Sequence, residues 1–315
     1  MDIPTISDVQ AAMAQIQGVV HRTPVLTCQT LDRLTQASLF FKCENFQKVG
    51  AFKFRGAWNA VSLLTQAERA RGVATHSSGN HAQALALAAA LHQIPAYIVM
   101  PKNAPQVKIE AVRGYGAVIT FCEPTLEARE AALDDVIQRT KATFIHPYNH
   151  ARVIAGQGTA ALELLLDQPN LDYLLAPVGG GGLLSGTALA AGGISPSPLV
   201  VGVEPEQADD AYQSWKAGRL IPVSHPVTIA DGLCTSLGTI TFPIIQQRVE
   251  QICTVSEGAI VTAMQWIWER MKIIVEPSAA VPLAAILEGK IAVHSKRVGI
   301  ILSGGNVDLG HLPWK

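Results

Sequence analysis

Gly50-Ala51-Phe52-Lys53-Phe54-Arg55-Gly56-Ala57 holds a lysine between small residues, at a point where a strand hands over to a helix. Upstream, Leu39-Phe40-Phe41-Lys42-Cys43 is a short aromatic-rich run bounded by polar residues, the pattern of a buried strand. Downstream, Phe54, Ala57, Trp58 and Val61 recur at helical spacing. A lysine at such a junction has its stem among apolar neighbours and its amine directed into the space beyond the strand. Burial lowers a lysine's pKa, and a neutral amine attacks carbonyls. A lone lysine is otherwise a solvated one, so the reading depends on what the rest of the chain brings to the same place.

Val178-Gly179-Gly180-Gly181-Gly182-Leu183 follows a strand pattern at 173–177 and precedes a helical one at 183–191. Successive glycines let backbone N–H groups converge, and a helix N-terminus adds partial positive charge, which together suit a phosphate. The lysine and threonine of a P-loop are missing, as is a G-x-G-x-x-G spacing with a ribose-binding acid, so ATP hydrolysis and dinucleotide binding are disfavoured. A flexible turn is the alternative. Ser77-Ser78-Gly79-Asn80-His81 lies between a strand at 72–76 and an alanine-rich helix at 82–91, and Ser303-Gly304-Gly305-Asn306 follows a strand at 298–302. All four polar stretches sit at carboxyl ends of predicted strands, where open α/β sheets bind ligands.

The combination resembles the fold-type-II pyridoxal-phosphate enzymes, and within them the serine/threonine dehydratase and serine racemase family. The motifs are Lys42-Cys43-Glu44-Asn45-Phe46-Gln47 running into 50–57, then 75–81, 179–182, Thr228-Ile229-Ala230-Asp231-Gly232 and 303–306, in the family's order over nearly the whole chain. Ala51 departs from the serine that many members carry before Phe-Lys. The resemblance implies an α/β fold of two lobes, each a mostly parallel sheet flanked by helices: residues 1–70 and 149–315 in a large lobe, and 71–148 in a small mobile lobe that closes over the substrate.

It also implies roles. Lys53 would hold pyridoxal 5'-phosphate as a Schiff base and, once freed by the substrate's amine, take the α-proton. Gly179, Gly180, Gly181 and Gly182, with Leu183, would hold the phosphate; Asn80 would meet the ring hydroxyl, Phe52 one ring face, and Ser303 the pyridine nitrogen. A neutral hydroxyl there draws less carbanion charge into the ring than a carboxylate, which favours β-elimination over transamination. Ser77, Ser78, Asn80 and His81 suit an α-carboxylate, with a helix-capping histidine as the alternative for His81. In serine racemases the residue matching Ser78 is the acid on the opposite face of the substrate; here it either serves that role or donates a hydrogen bond.

Glu204-Pro205-Glu206-Gln207-Ala208-Asp209-Asp210 offers hard oxygen ligands suited to Mg²⁺, Ca²⁺ or Mn²⁺, or else an acidic turn capping the next helix. By resemblance the ligands would be the Glu204 and Asp210 carboxylates and the Ala208 carbonyl. Tyr115 and Asn306 stand where serine racemases place residues that contact ATP, so ATP is carried as an effector on two matching positions alone.

Composition fits these expectations. A chain of 315 residues, 49% hydrophobic, buries a sizeable core, and a net charge of −1 gives no electrostatic case for nucleic acid or an anionic membrane. Cys28, Cys43, Cys122, Cys234 and Cys253 form no C-x-x-C pair, which argues against a disulfide framework or a zinc site. With neither a signal-peptide pattern nor a transmembrane run, the expectation is a cytoplasmic enzyme, homodimeric by resemblance. Ser7 is expected to cap an opening helix over Val9, Ala12, Met13 and Ile16; later helices are expected at 151–167, 256–271 and 277–288. The sequence ends at Lys315, so the regulatory domain of biosynthetic threonine deaminases, and isoleucine feedback through it, are not expected. The function implied is an ammonia-lyase that turns L-serine or L-threonine into an α-keto acid and ammonia. The alternatives are a serine racemase with side elimination, a 3-hydroxyaspartate dehydratase, and a retired enzyme that only binds amino acids.

Overall fold

Short apolar runs without polar alternation become strands, and the described residues form two sheets of them. The structure is a computed structural model that describes residues 3–104, 106–222 and 226–314. In chain order the strands are β1 (Val25–Leu26), β2 (Ser38–Cys43), β3 (Val73–His76), β4 (Ala96–Pro101), β5 (Val118–Cys122), β6 (Thr143–Phe144), β7 (Tyr173–Pro177), β8 (Leu199–Pro205), β9 (Gln251–Val255) and β10 (Arg297–Leu302). One sheet runs β1-β2-β10-β7-β8-β9 and the other β5-β4-β3-β6. Every pairing of these strands is parallel except β1 with β2. Ile300 of β10 lies between Phe41 of β2 and Leu175 of β7, at the centre of the larger sheet.

Helices close both faces. Phe41, Leu175, Val201 and Ile300 pack with Met264, Val281 and Leu283, while Leu174, Val200 and Ile301 pack with Leu162, Leu184 and Leu189 from the other side. In the smaller sheet, Val73, Ile98 and Met100 share a core with Leu85, and also with Phe54 and Val61 of the Lys53–Ser62 helix. The lysine helix therefore bears on the smaller sheet's core. It also lies against the Ala151–Asp167 helix so closely that a Cβ at Gly156 would sit 2.7 Å from the Arg55 carbonyl oxygen.

That helix is fixed by a buried ion cluster. Arg55 donates from Nε to Glu44 Oε2 (2.7 Å) and from its terminal nitrogens to both Glu163 oxygens (2.8 Å each). Lys42 Nζ meets Glu163 Oε2 at 2.6 Å, and the Thr23 hydroxyl donates to Glu44 Oε1. Burial alone would lower the Arg55 pKa; Glu44 and Glu163 override it and hold the guanidinium above its usual range.

The structure corrects several expectations of local structure. The opening helix, Ile6–Ile16, starts from Thr5 and not Ser7, because Asp8 reaches back to accept from Thr5 N (2.7 Å) and Thr5 Oγ1 (2.8 Å). The 256–271 segment is an α-helix only over Glu257–Trp266 and widens into a π turn at Ile267–Met271. β9 is an additional edge strand, and β6, for which the apolar pattern predicts a strand over 143–146, stops at Phe144. Among the described residues no helix is long and apolar enough to cross a membrane.

Candidate active site

Lys53 is the first residue of its helix, and the backbone before it is zipped to the loop after β10. Ala51 bridges Gly304, Phe52 N donates to Ser303 O (3.0 Å) and Gly305 N to Gly50 O (2.9 Å). Gly50 has φ +68°, and a Cβ there would strike Asn306 Oδ1 at 2.7 Å, so this turn needs glycine. The Lys53 amine, partly buried, donates to Pro147 O (2.9 Å) and lies 5.2 Å from the Phe52 ring centroid. Burial brings its pKa down to about 8, against the pull of Glu276. A sizeable neutral fraction near physiological pH suits a nucleophile and a base.

The glycine turn is fully buried. A Cβ at Gly180 would lie 2.3 Å from the Tyr148 ring, at Gly179 2.9 Å from Leu233 Cα, and at Gly182 2.7 Å from Gln157 Oε1. Gly181, with φ +83°, is the N-cap of the Gly182–Ala191 helix, and no side chain caps it. A buried, uncapped helix start at a turn that admits no side chain fits a phosphate, and Leu183 lies in that first turn. Ser303, 3% exposed, has a hydroxyl with no partner among the described residues. These features fit the aldehyde, phosphate and ring nitrogen of pyridoxal phosphate.

Ser77, Ser78, Asn80 and His81 lie at or just before one helix start but differ in what they leave free. Gly79 N donates to Ser77 Oγ (3.3 Å), and Ser78 is partly exposed, its hydroxyl without a partner among the described residues. Asn80 opens the Asn80–Leu91 helix; its Nδ2 donates to both oxygens of Glu276 (3.0 and 3.1 Å) and its Oδ1 accepts from Asn306 Nδ2 (2.8 Å). His81 is 2% exposed and its Nε2 donates to Ile145 O (3.1 Å), leaving Nδ1 buried and bare. Burial, with Lys53 nearby, holds the ring neutral. The donor expected to meet a carboxylate is thus turned to the backbone, nearer the capping alternative, and what remains is an acceptor.

Residues the sequence reading missed complete the space around Lys53. Glu276, 4% exposed, is raised by burial to about 7, with Asp231 adding to the shift and Asn80 and Lys108 opposing it. His146 accepts at Nδ1 from Tyr148 N (3.2 Å) and Asn149 N (2.9 Å), so its ring N–H is on Nε2; burial holds it neutral, at about 3. His76 lies 6.3 Å from His146, centroid to centroid, and Arg129 helps burial keep it neutral. His146-Pro147-Tyr148 carried a usable signal, a polar run after a short strand, whereas Glu276 before Pro277 reads only as a helix start.

Glu204 and Asp210 are both buried, and among the described residues no Lys or Arg pairs with either. Glu204 accepts from Tyr212 N (2.6 Å) and Ala211 N (3.3 Å), Asp210 Oδ2 from Leu237 N (3.2 Å), and Asp210 Oδ1 is buried without a partner. Burial raises Glu204 well above the carboxylate range and Asp210 to about 7. No three His, Cys, Asp or Glu side chains among the described residues converge on a metal position; the expected set has two carboxylates and the carbonyl of Ala208, itself buried. The orphaned oxygen and the excess acid fit a hard cation. Asn306 donates from Nδ2 to Asn80 Oδ1 and Val49 O (2.7 Å), and the half-buried Tyr115 packs against the smaller sheet's core.

Comparison with known proteins agrees with this geometry. The family described as pyridoxal-phosphate dependent enzyme matches residues 16–304. The β-hydroxyaspartate dehydratase of Paracoccus denitrificans (strain Pd 1222) is 52% identical over the full length of both chains. Among solved structures, maize serine racemase has a TM-score of 0.96 at 47% identity, covering 98% of this chain and 95% of that one. The T.th. threonine deaminase has 0.92 at 44%, covering 97% and 99%. A lysine set for a carbonyl, a turn shaped for a phosphate and relatives of this kind together place the chain: it belongs to the fold-type-II pyridoxal-phosphate-dependent enzymes, in the serine/threonine dehydratase and serine racemase family.

Proposed function

We propose that the chain is an ammonia-lyase for β-hydroxy-α-amino acids, converting L-serine or L-threonine into pyruvate or 2-oxobutanoate and ammonia. The observation that carries this is the placing, at one strand end, of an amine whose pKa is lowered to about 8, Lys53, and the unpartnered neutral hydroxyl of Ser303, whose carbonyl accepts from Phe52 N. Pyridoxal phosphate, when bound, makes the α-hydrogen of an amino acid acidic by drawing charge into its ring. Lys53 Nζ takes that proton from Cα and can return it to the Cβ hydroxyl, which leaves as water; the resulting enamine becomes an imine, and one water hydrolyses its C–N bond to give the α-keto acid and ammonia. Ser303 places no anion near the ring nitrogen, which favours loss of the β-group over storage of charge in the ring. Ser77, Ser78 and the start of the Asn80–Leu91 helix hold the α-carboxylate.

A second reading, 3-hydroxyaspartate dehydratase, is supported by the His146 Nε2–H, which lies within reach of the Lys53 charge and next to His76, a donor suited to a second carboxylate, and by the 52% identity to a protein of that name. Racemisation rests on Ser78, whose hydroxyl is left for a ligand. In this reading residues 71–148 act as a lobe that closes over the substrate, with the Lys108–Asp231 ion pair (2.7 Å) joining it to the rest. A divalent cation, Mg²⁺, Ca²⁺ or Mn²⁺, bound by Glu204, Asp210 and the Ala208 carbonyl, supports the fold without touching substrate. A cytoplasmic homodimer belongs to the same reading; ATP activation has only the resemblance behind it.

The test is keto-acid release from L-serine, L-threonine and the 3-hydroxyaspartate isomers, with chiral analysis of serine. Release from serine or threonine supports the leading reading, and release from hydroxyaspartate alone selects the second. Ser78→Ala should suppress L-to-D interconversion while elimination from L-serine persists. Folded, cofactor-loaded protein inert on all of these substrates refutes the lyase.

A further inference from the structure

Glu276 is at the N-cap of the Pro277–Leu287 helix, yet its side chain makes no cap hydrogen bond. Pro277 has no N–H to satisfy, and the carboxylate turns across to other elements. Its oxygens accept from Asn80 Nδ2 and from Asn306 N (3.2 Å). The carboxylate packs close to the Gly304 backbone: a Cβ there would lie 2.7 Å from Glu276 Oε1, and the carboxylate would have to move. The charged groups that act on this carboxylate from other elements are Lys53, Lys108 of the Gln106–Gly114 helix and Asp231.

Counting donors and acceptors on Asn80 gives the consequence. Its Oδ1 is filled by Asn306, and one of its two Nδ2 hydrogens is directed at Glu276. With Glu276 ionised, as it is above about 7, flipping the amide would turn Oδ1 onto the carboxylate and Nδ2 onto the Asn306 donor, two repulsions in a buried site. A single N–H is left.

We propose that Glu276 is a positioning residue for the cofactor, fixing the Asn80 amide so that it offers only an N–H, never its carbonyl, to the ring oxygen of pyridoxal phosphate. This rests on the reading of Asn80 as the group that meets that oxygen. An N–H favours the ring oxygen in its anionic form, and the negative carboxylate favours a proton on the nitrogen of Lys53. Glu276 thereby sets the charge state of the bound cofactor without touching it.

The test is the pH titration of the cofactor's visible absorption band in holoenzyme, with cofactor dissociation measured alongside, for wild type, Glu276→Gln, Glu276→Asp, Asn80→Ala and the Glu276→Gln/Asn80→Ala double variant. Glu276→Gln should move the midpoint down by roughly one pH unit and weaken cofactor binding about tenfold. The weakening should vanish in the Asn80→Ala background, because Glu276 acts through that amide. Glu276→Asp keeps the charge and should keep the wild-type midpoint even if its melting temperature falls. An unmoved midpoint in folded Glu276→Gln, an equal shift in Glu276→Asp, or additive losses of cofactor affinity in the double variant would each overturn the proposal. Absence of any Lys53-dependent visible band in the wild type would instead sink the cofactor reading beneath it.

Discussion

The buried charges around Arg55 and those at Glu204 and Asp210 lie in one molecule but obey opposite rules. In the first group Lys42, Glu44, Arg55 and Glu163 meet as two cations and two carboxylates, every charge paired at 2.6 to 2.8 Å. In the second, two carboxyls are buried with backbone donors only, and one oxygen has no partner. Glu276 and Lys53 fall with the second group, held by dipoles and by no close counter-charge among the described residues. Burying a charge without compensation is costly, so a fold that neutralises one cluster internally and leaves the others open marks where something else is to bind. The closed cluster ties the lysine helix down; among the open groups, Glu276 and Lys53 act on each other, while Glu204 and Asp210 form a separate pair.

The largest effect that would sharpen the contrast is on turnover. Lys53→Ala should abolish keto-acid production while circular dichroism stays native, since it removes the covalent anchor and the base together. Substantial lyase activity in that variant would place the chemistry elsewhere.

Stability should divide the two kinds of charge by sign. Arg55→Ala strands Glu44 and Glu163 and should cost about 3–5 kcal/mol in urea unfolding. Lys53→Met in apoprotein should do the reverse at pH 7, gaining up to about 3 kcal/mol. The sign follows from the lowered pKa. Between about 8 and 10.5 the unfolded chain holds a proton that the folded one does not, so wild-type stability rises with pH across that window. The advantage of the methionine variant is therefore full below about 8 and gone above 10.5. Equal destabilisation by both substitutions would break the comparison.

A cation should close the open pair. At about one hundred times its dissociation constant, Mg²⁺, Mn²⁺ or Ca²⁺ should stabilise chelated protein by about 2.7 kcal/mol, and Asp210→Asn should remove most of that gain. Identical melting of chelated and metal-loaded protein would leave the acidic segment as a cap for the Asp210–Ala217 helix.

The strand and helix pattern was legible where apolar runs are long and bounded by glycine or proline: Tyr173–Pro177 and Ala151–Asp167 lie where periodicity places them. The polar loops that end those strands were legible for the same reason. β9 was not, because Gln251, Cys253 and Thr254 dilute the apolar signal of an edge strand. Glu276 was hidden more deeply. Its partner Asn80 is 196 residues away, and an acid before proline looks like any helix start. The direction of the His81 ring was equally out of reach, since the Ile145 carbonyl that holds it belongs to another segment. Periodicity reports which face is buried, whereas the pairing of a buried polar atom depends on contacts between distant parts of the chain.

The smallest effect concerns the open lysine alone, through the rate at which apoprotein takes up pyridoxal phosphate. Only the neutral amine attacks the aldehyde, and burial has brought the Lys53 pKa down to about 8. Below that pH the neutral fraction falls about tenfold per unit, and above it the fraction levels off. An ordinary exposed lysine would keep gaining up to about 10.4. Stopped-flow measurement of the growing visible band should therefore give a rate that climbs with pH and bends near 8. Glu276→Gln should move the bend lower, because the carboxylate opposes the effect of burial on this amine. A rate still rising steeply beyond about pH 9 would show the amine to be solvated before the cofactor arrives, and would remove Lys53 from the group of charges that the fold leaves uncompensated.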